Sequence, residues 1–521
     1  MKMDSHQSAD ADLACRVPGQ YSEDIELNRL DNASVSVRVN REIREEPAFV
    51  SWFAGLRRAG LKPLPPEFVM KSELGQGGLA NTHDVEAGIS GAQREVRRMF
   101  RDVISLNASD IHVHLDRRQG SRIRTRINGL LYTIREPDFE EGGMLLSTMV
   151  ESMCDTKSQG YNPRVAQDGR VKPQFLADMN LYAARYSHRP TDDGGVFAVM
   201  RLIEDDRGRI RTLQSLGYQP EHEAVMEEVE LTSQGLIGLC GTTGSGKSTT
   251  QRVLASRWLA RNNGQVSLQT QEAPIEGLIL GAVQCAVNTD NLSLHQAGEA
   301  WAGSVVMSMR LDPDGIYTGE ARDYASAYAA LETSVSGHPG WFGLHCTYPL
   351  DALTRMRNWG IDARELANPT YFRGLIAQSL VNTLCPSCAL PWSEAVKRQL
   401  IPASHQALAK RMFNADELEQ LRFRNPDGCK HCTQQLLGTA INQGISGRTI
   451  VAEIVRPDRH IMKSWLDEGS FVARQRWLQA GGFSRGQHLR RLLLAGQTDL
   501  VMATEHMDPD EDRDFMDMEC A

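Results

Sequence analysis

The stretch Gly235 to Ala260, GLIGLCGTTGSGKSTTQRVLASRWLA, constrains the fold more than any other part of the chain. Leu236, Ile237, Leu239 and Cys240 read as a short buried strand, and Val253, Leu254, Trp258 and Leu259 follow near helical spacing. Between them Gly241-Thr242-Thr243-Gly244-Ser245-Gly246-Lys247-Ser248 fits G-x-x-x-x-G-K-[ST] at every fixed position, with Thr249 next. Glycines open such a turn so that successive backbone N–H groups form an anion site at a helix N-terminus. The lysine then reaches the β/γ-phosphates, and the serine hydroxyl completes a Mg²⁺ shell. The competing reading is a glycine-rich turn that fits by accident. A strand before it and a helix after it are the context that separates the two. The stretch predicts a nucleoside triphosphate site at Gly241 through Thr249.

Bulk properties narrow the rest. A chain of 521 residues carries about three domains by length alone. Its net charge of -9 argues against a general nucleic-acid coat. No apolar run approaches the ~20 residues that cross a bilayer, and the N-terminus lacks a basic start followed by an apolar stretch. The expectation is a cytoplasmic protein whose membrane association is peripheral. Four of the ten cysteines form two C-x-x-C pairs, which in a reducing compartment points to metal.

Residues 1–91 are poorly defined, with a docking segment and a solvated adaptor equally open. Ala33 to Val39 alternates like a half-exposed strand, Phe49 to Leu61 reads as a short helix ended by Pro63-Leu64-Pro65-Pro66, and Gly75-Gln76-Gly77-Gly78 reads as a linker. Residues 92–215 read as a small α+β domain. Val96, Met99, Phe100, Val103 and Ile104 share a helical face, and strands surround the hairpin signal Asn128-Gly129. Arg185 and Arg201 end two later strands; plain surface charge is the rival reading for both.

The nucleotide domain is expected over 216–505. Gln265 to Thr270 is a strand followed by Glu272 and Glu276, and a second short strand delivers Glu320. Carboxylates just past strand ends sit where open α/β sheets place their ligands. Trp341 to Leu344 presents His345 at the same kind of position, where a structural and a functional histidine stand about level. Cys385, Cys388, Cys429 and Cys432 offer four thiolates suited to structural Zn²⁺; a redox dithiol is the runner-up for either pair alone. Residues 506–521 read as an acidic disordered tail.

From about residue 92 to 505 the sequence resembles the secretion and pilus motor ATPases, in the branch of type II secretion and type IV pilus assembly ATPases that carries a zinc module. The resemblance rests on Ala108-Ser109-Asp110-Ile111-His112, on Arg124, Arg126 and Gly129, and on Gln167-Asp168-Gly169-Arg170. It continues through Glu272-Ala273-Pro274-Ile275-Glu276, Gly319-Glu320-Ala321-Arg322-Asp323, Ser336-Gly337-His338, Leu344-His345-Cys346-Thr347, the paired cysteines and Gly447-Arg448-Thr449. It implies a RecA-like P-loop domain with a tetracysteine module at 385–432, preceded by a small α+β, PAS-like domain. It implies ATP, Mg²⁺ and Zn²⁺ as cofactors, with Ser248 on magnesium and the four cysteines on zinc. Glu320 becomes the Walker B carboxylate, and Glu272 and Glu276 position water or metal. His345, with His338 behind it, senses the γ-phosphate, and Arg185 and Arg201 close onto it. Ala273 departs from the family pattern, which has an aspartate there.

The resemblance further implies a homo-hexamer that hydrolyses ATP at the inner membrane, meets a membrane platform protein, and powers pilus assembly or type II-like secretion. It does not identify the system, the docking partner, the ring symmetry or the stroke direction. A conjugation or DNA-transfer ATPase is the alternative, against which the acidic balance and the absence of a basic aromatic stripe count; no stable nucleic-acid binding is expected. A non-hydrolysing, zinc-held scaffold is the third reading, and the retained Glu320 argues against it.

Overall fold

In a computed structural model the described residues comprise 91–516, apart from 156–159, 177–178, 206–210 and 290–291, and scattered positions among 17–69. The chain divides into two compact units, Met1–Arg94 and Glu95–Ala521.

In the first unit, strands Ile25–Arg29 and Ser34–Asn40 pair antiparallel, and the short strands Lys62–Pro63 and Glu67–Val69 run parallel to the second. The alternation read in the sequence has a direct cause: Val35, Val37 and Val39 turn inward onto Ile25, Ile43, Phe49 and Leu56. Phe49, Trp52, Phe53 and Leu56 are helical, as expected. The Gly75–Gly78 linker lies outside the described residues.

The boundary at Glu95 falls within helix α1 (Gly91–Ile104), which buries Val96, Phe100 and Val103. A seven-stranded antiparallel sheet follows, made of β1 (Ala108–Leu115), β2 (Arg122–Ile127), β3 (Leu130–Arg135), β4 (Cys154–Asp155), β5 (Gln167–Val171), β6 (Leu181–Pro190) and β7 (Val196–Glu204). Its order is β3-β2-β1-β7-β6-β5-β4. That strand order makes the region α+β; it does not by itself make it PAS-like. Antiparallel register aligns Arg126 with Asp110, Asp110 with Arg201, and Arg201 with Arg185. Residues directly opposite share a face, so these four form one row across four strands.

A second seven-stranded sheet holds β8 (Gly235–Cys240), β9 (Leu268–Glu272), β10 (Ala282–Ala286), β11 (Gly315–Thr318), β12 (Pro339–Leu344), β13 (Phe372–Leu384) and β14 (Ile445–Val455). The order is β10-β9-β11-β12-β8-β13-β14; all pairs are parallel except β13 with β14. Every residue of β8, β9, β11 and β12 is buried, as expected of parallel strands covered on both faces. Two apolar clusters flank the sheet, one around Leu239, Leu254 and Trp341, the other around Phe342, Leu375 and Trp465.

The acidic end corrects an expectation. Part of it is packed instead of disordered: Phe515 is buried against Phe471 and Tyr348, and Glu511 is buried between Arg485 and Arg474. Its charges have partners inside the fold, so composition alone misread them. Among the described residues no helix is long and apolar enough to cross a membrane.

Candidate functional site

Helix α2 (Lys247–Arg261) starts at the end of the phosphate loop, with Gly246 as its N-cap at φ +86°. Gly241 sits at φ +152°, where an added Cβ would lie 2.6 Å from Gln378 O and 2.4 Å from Ser245 Oγ. Glycine there is a steric requirement as well as a conformational one. Gln378, from the adjoining β13, donates from Nε2 to Ser245 O at 2.7 Å and accepts from Tyr218 OH at 2.7 Å. A buried side chain thus braces the loop from below. Sequence reading passed over Gln378, although a glutamine inside the apolar run Phe372–Leu384 is a signal, because buried polar groups are partnered.

The parallel strands deliver the other groups to the same edge. Glu272 ends β9, Glu320 follows β11 by two residues, and His345 directly follows β12. Lys247 Nζ donates to Gly241 O at 2.7 Å and Thr242 O at 3.0 Å, and lies 3.3 Å from His345 Nδ1. His345 Nε2 pairs with the Glu320 carboxylate. His345 Nδ1 also lies 3.2 Å from Gly241 O, so the ring sits between the phosphate loop and Glu320. Glu320 also takes Nη2 and Nε of Arg322 at 2.7 and 2.8 Å. Burial pulls the Lys247 ammonium below its ordinary range, and Glu320 opposes that pull.

Glu272 is nearly inaccessible. It accepts from Thr270 Oγ1 at 2.8 Å and Gln284 Nε2 at 2.9 Å, and the backbone N–H of Glu276 lies 3.4 Å away. Burial raises its carboxyl above the usual carboxylate range, against the pull of those donors. Two neutral donors bind it, so Glu272 is held as an anchor under the loop 273–276, while the half-buried Glu276 lies nearer Arg185.

The arginines come from the antiparallel sheet. Arg185 Nη2 lies 3.4 Å from Pro274 O, and Arg201 Nε donates to the buried Asp110 at 3.1 Å. Burial lowers the Arg185 pKa, and Glu276 counters it. Both arginines line a cavity of 480 Å³ together with Thr243 through Thr249, Glu272, Glu276, Glu320, Arg322, His345 and Arg448. Gly241 and Thr242 stand behind its wall, one lysine contact away. Arg322 and Arg448 were not singled out as site residues from the sequence. His338 is not brought in. It precedes β12, roughly 20 Å from His345 along six strand residues, and bonds Ser336 at the opposite edge of the sheet.

The sulfurs of Cys385, Cys388, Cys429 and Cys432 all lie within 4.8 Å of one another, with three pairs at 3.8 Å. A tetrahedral Zn²⁺ with Zn–S near 2.3 Å requires sulfur separations of about 3.8 Å. Backbone N–H groups of Gly444 and Cys429 point at Cys432 Sγ from 3.2 and 3.3 Å, and that of His431 at Cys429 Sγ from 3.4 Å. Such donors suit thiolates, so the residues fit the ion. The His431 side chain is exposed and takes no part. The insert between the knuckles holds helices Trp392–Lys397, Ala403–Met412 and Ala415–Gln420.

Residues 86–500 match the family described as "Type II/IV secretion system protein". The chain is 28% identical over 399 residues to the type IV pilus assembly ATPase PilB of Acinetobacter baylyi, covering 76% of this chain and 62% of that protein. It is 31% identical over 363 residues to the putative type II secretion system protein E of Escherichia coli, covering 70% of this chain and 66% of that one. It therefore spans less than two thirds of either relative. Among solved structures it is similar to the ATPase DotB of Legionella pneumophila, with a TM-score of 0.51 at 17% identity over 79% of this chain and 95% of that one, a likeness of fold.

Proposed function

This chain belongs to the type II/IV secretion system protein family, and we propose that it is an ATP-hydrolysing motor that works as a homo-hexamer. One observation carries the reading: a phosphate loop, a strand-end carboxylate paired with a histidine, and two arginines from a separate sheet line one cavity. Phosphoryl transfer is accelerated almost entirely by positioning and by stabilising charge, and these groups supply both. Gly241 through Thr249 hold ATP; Lys247 neutralises the β- and γ-phosphates, and Ser248 holds Mg²⁺. Glu320, oriented by His345, polarises the attacking water. Glu276 lies beside it, and Glu272 supports the loop between them. Arg185 and Arg201 meet the charge that develops on the transferred group. Zn²⁺ on the four cysteines is structural.

The relatives named above support pilus assembly or type II-like secretion; the partner we propose is a platform protein, met at the cytoplasmic face of the inner membrane. The test is a deletion strain complemented with wild type or Lys247→Ala and scored together for surface pili, secreted protein and conjugation. Loss of pili or secretion that only wild type restores is expected. Loss of conjugation alone would overturn the assignment in favour of DNA transfer.

A further inference from the structure

The β2–β3 hairpin stands away from the cavity, yet its tip is held by the segments on either side of the cysteine module. Asn128 and Gly129 take φ of +50° and +85°, and Arg126 Nη1 donates to Gly129 O at 2.7 Å, fixing the turn from within. Asn382, on β13 just ahead of the first cysteine pair, donates from Nδ2 to Asn128 O at 2.8 Å. Asn128 Nδ2 donates to Asn442 Oδ1 at 2.9 Å, and Asn442 Nδ2 donates to Gln434 Oε1 at 3.0 Å. The backbone N–H of Asn442 reaches Tyr132 OH at 3.3 Å, and Thr439 Oγ1 donates to Thr133 O at 3.0 Å. Thr439 and Gln434 belong to a small hairpin, Gln434–Leu436 with Thr439–Ile441, that directly follows the last cysteine. Leu130 packs onto Leu384, Ile445 and Met502 at the base of the same module.

This grip is tied to the site by strand register. Arg126, two residues before the turn, is opposite Asp110; Asp110 is opposite Arg201 and accepts its Nε; Arg201 is opposite Arg185. The row is therefore held at one end by the segments flanking the module and ends in the cavity at the other. At the cavity end Arg185 meets Pro274 O at 3.4 Å, a long contact that leaves much of the orientation to be fixed elsewhere.

We propose that Asn128, Asn382 and Asn442 are positioning residues: the segments that flank the cysteine module anchor the hairpin, and through the antiparallel sheet they set where Arg201 and Arg185 stand over the phosphate loop. The proposal rests on the reading of the cavity as an ATP-hydrolysing site.

Asn128→Gly is the clean perturbation, because glycine accepts the left-handed turn while the side-chain bond is lost. Paired with Asn382→Val, which keeps a strand residue, it removes two of the bonds in the full-length chain. We expect kcat to fall about tenfold with ATP affinity changed less than twofold, since displacing a charge stabiliser costs turnover and not ground-state binding. In a background lacking both arginines, Arg185→Ala with Arg201→Ala, the same pair should cost almost nothing more. An undiminished loss in that background, or no loss in wild type, would overturn the proposal. Amide hydrogen exchange read without nucleotide gives an arm independent of catalysis. The variant should exchange faster at 122–135 and also around Arg185 and Arg201. Faster exchange confined to the hairpin would refute positioning even if the wild-type chain proved to have no ATPase activity.

Discussion

Replacing Glu511 by glutamine should change how stability depends on pH, with a sign that follows from the buried network around it. Glu511 meets Arg485 Nη2 at 2.7 Å and Arg474 Nη2 at 3.6 Å; Arg474 also binds Glu453 at 2.8 Å and Asp512 at 3.0 Å. Three carboxylates thus share two guanidinium groups, leaving a surplus negative charge where water is scarce. Burial, aided by Glu453 and Asp512 and opposed by both arginines, pushes the Glu511 carboxyl from 4.5 up to about 7. The folded chain holds this proton to higher pH than the unfolded chain does. Its contribution is therefore fully present below 4.5, falls as pH rises, and is gone above about 7. A window of that width corresponds to roughly 3 kcal/mol. The glutamine side chain has no such titration and keeps an acceptor for Arg485. Urea unfolding followed by the fluorescence of Trp465 and Trp477, which share a core with Phe515, reads the effect. Between pH 5 and pH 8 wild type should lose stability relative to Glu511→Gln by most of that amount. A wild-type-to-variant difference that stays constant across the range would refute the reasoning.

Other substitutions test the site. Gly241→Ala places a Cβ 2.6 Å from Gln378 O, so the loop must shift; ATP affinity measured by titration calorimetry should drop at least about tenfold. Arg201→Ala should lower kcat by about a hundredfold while leaving ATP binding nearly intact, as expected of a donor that acts on developing charge. Prolonged chelation, or Cys429→Ser, should release zinc detectable with a chromogenic dye and lower the melting temperature, because the metal closes a loop of some forty residues. An unchanged melt would mean the module folds without metal.

How much of this was legible depended on whether a signal is local. The phosphate loop, the two cysteine pairs and the hairpin turn are short patterns with their own physical reasons, and each stands where the sequence put it. Glu272, Glu320 and His345 were legible because a buried parallel strand announces its end. The arginine row was only half legible: the sequence shows Arg185 and Arg201 on strands, but their alignment with Asp110 and Arg126 is set by register between distant segments. The acidic end was misread because its partners, Arg474 and Arg485, come from helices Ser470–Gln479 and Arg485–Leu494, where nothing local marks them as buried. His338 was grouped with His345 by the family resemblance, and a six-residue strand carried it to the other edge of the sheet.

The central claim is that the cavity hydrolyses ATP through Glu320. Phosphate release from the purified full-length chain, measured in a single turnover beside ATP binding, tests it directly. Wild type should release phosphate, Glu320→Gln should bind ATP with similar affinity and release almost none, and Lys247→Ala should fail to bind. Release by Glu320→Gln at the wild-type rate would contradict the account.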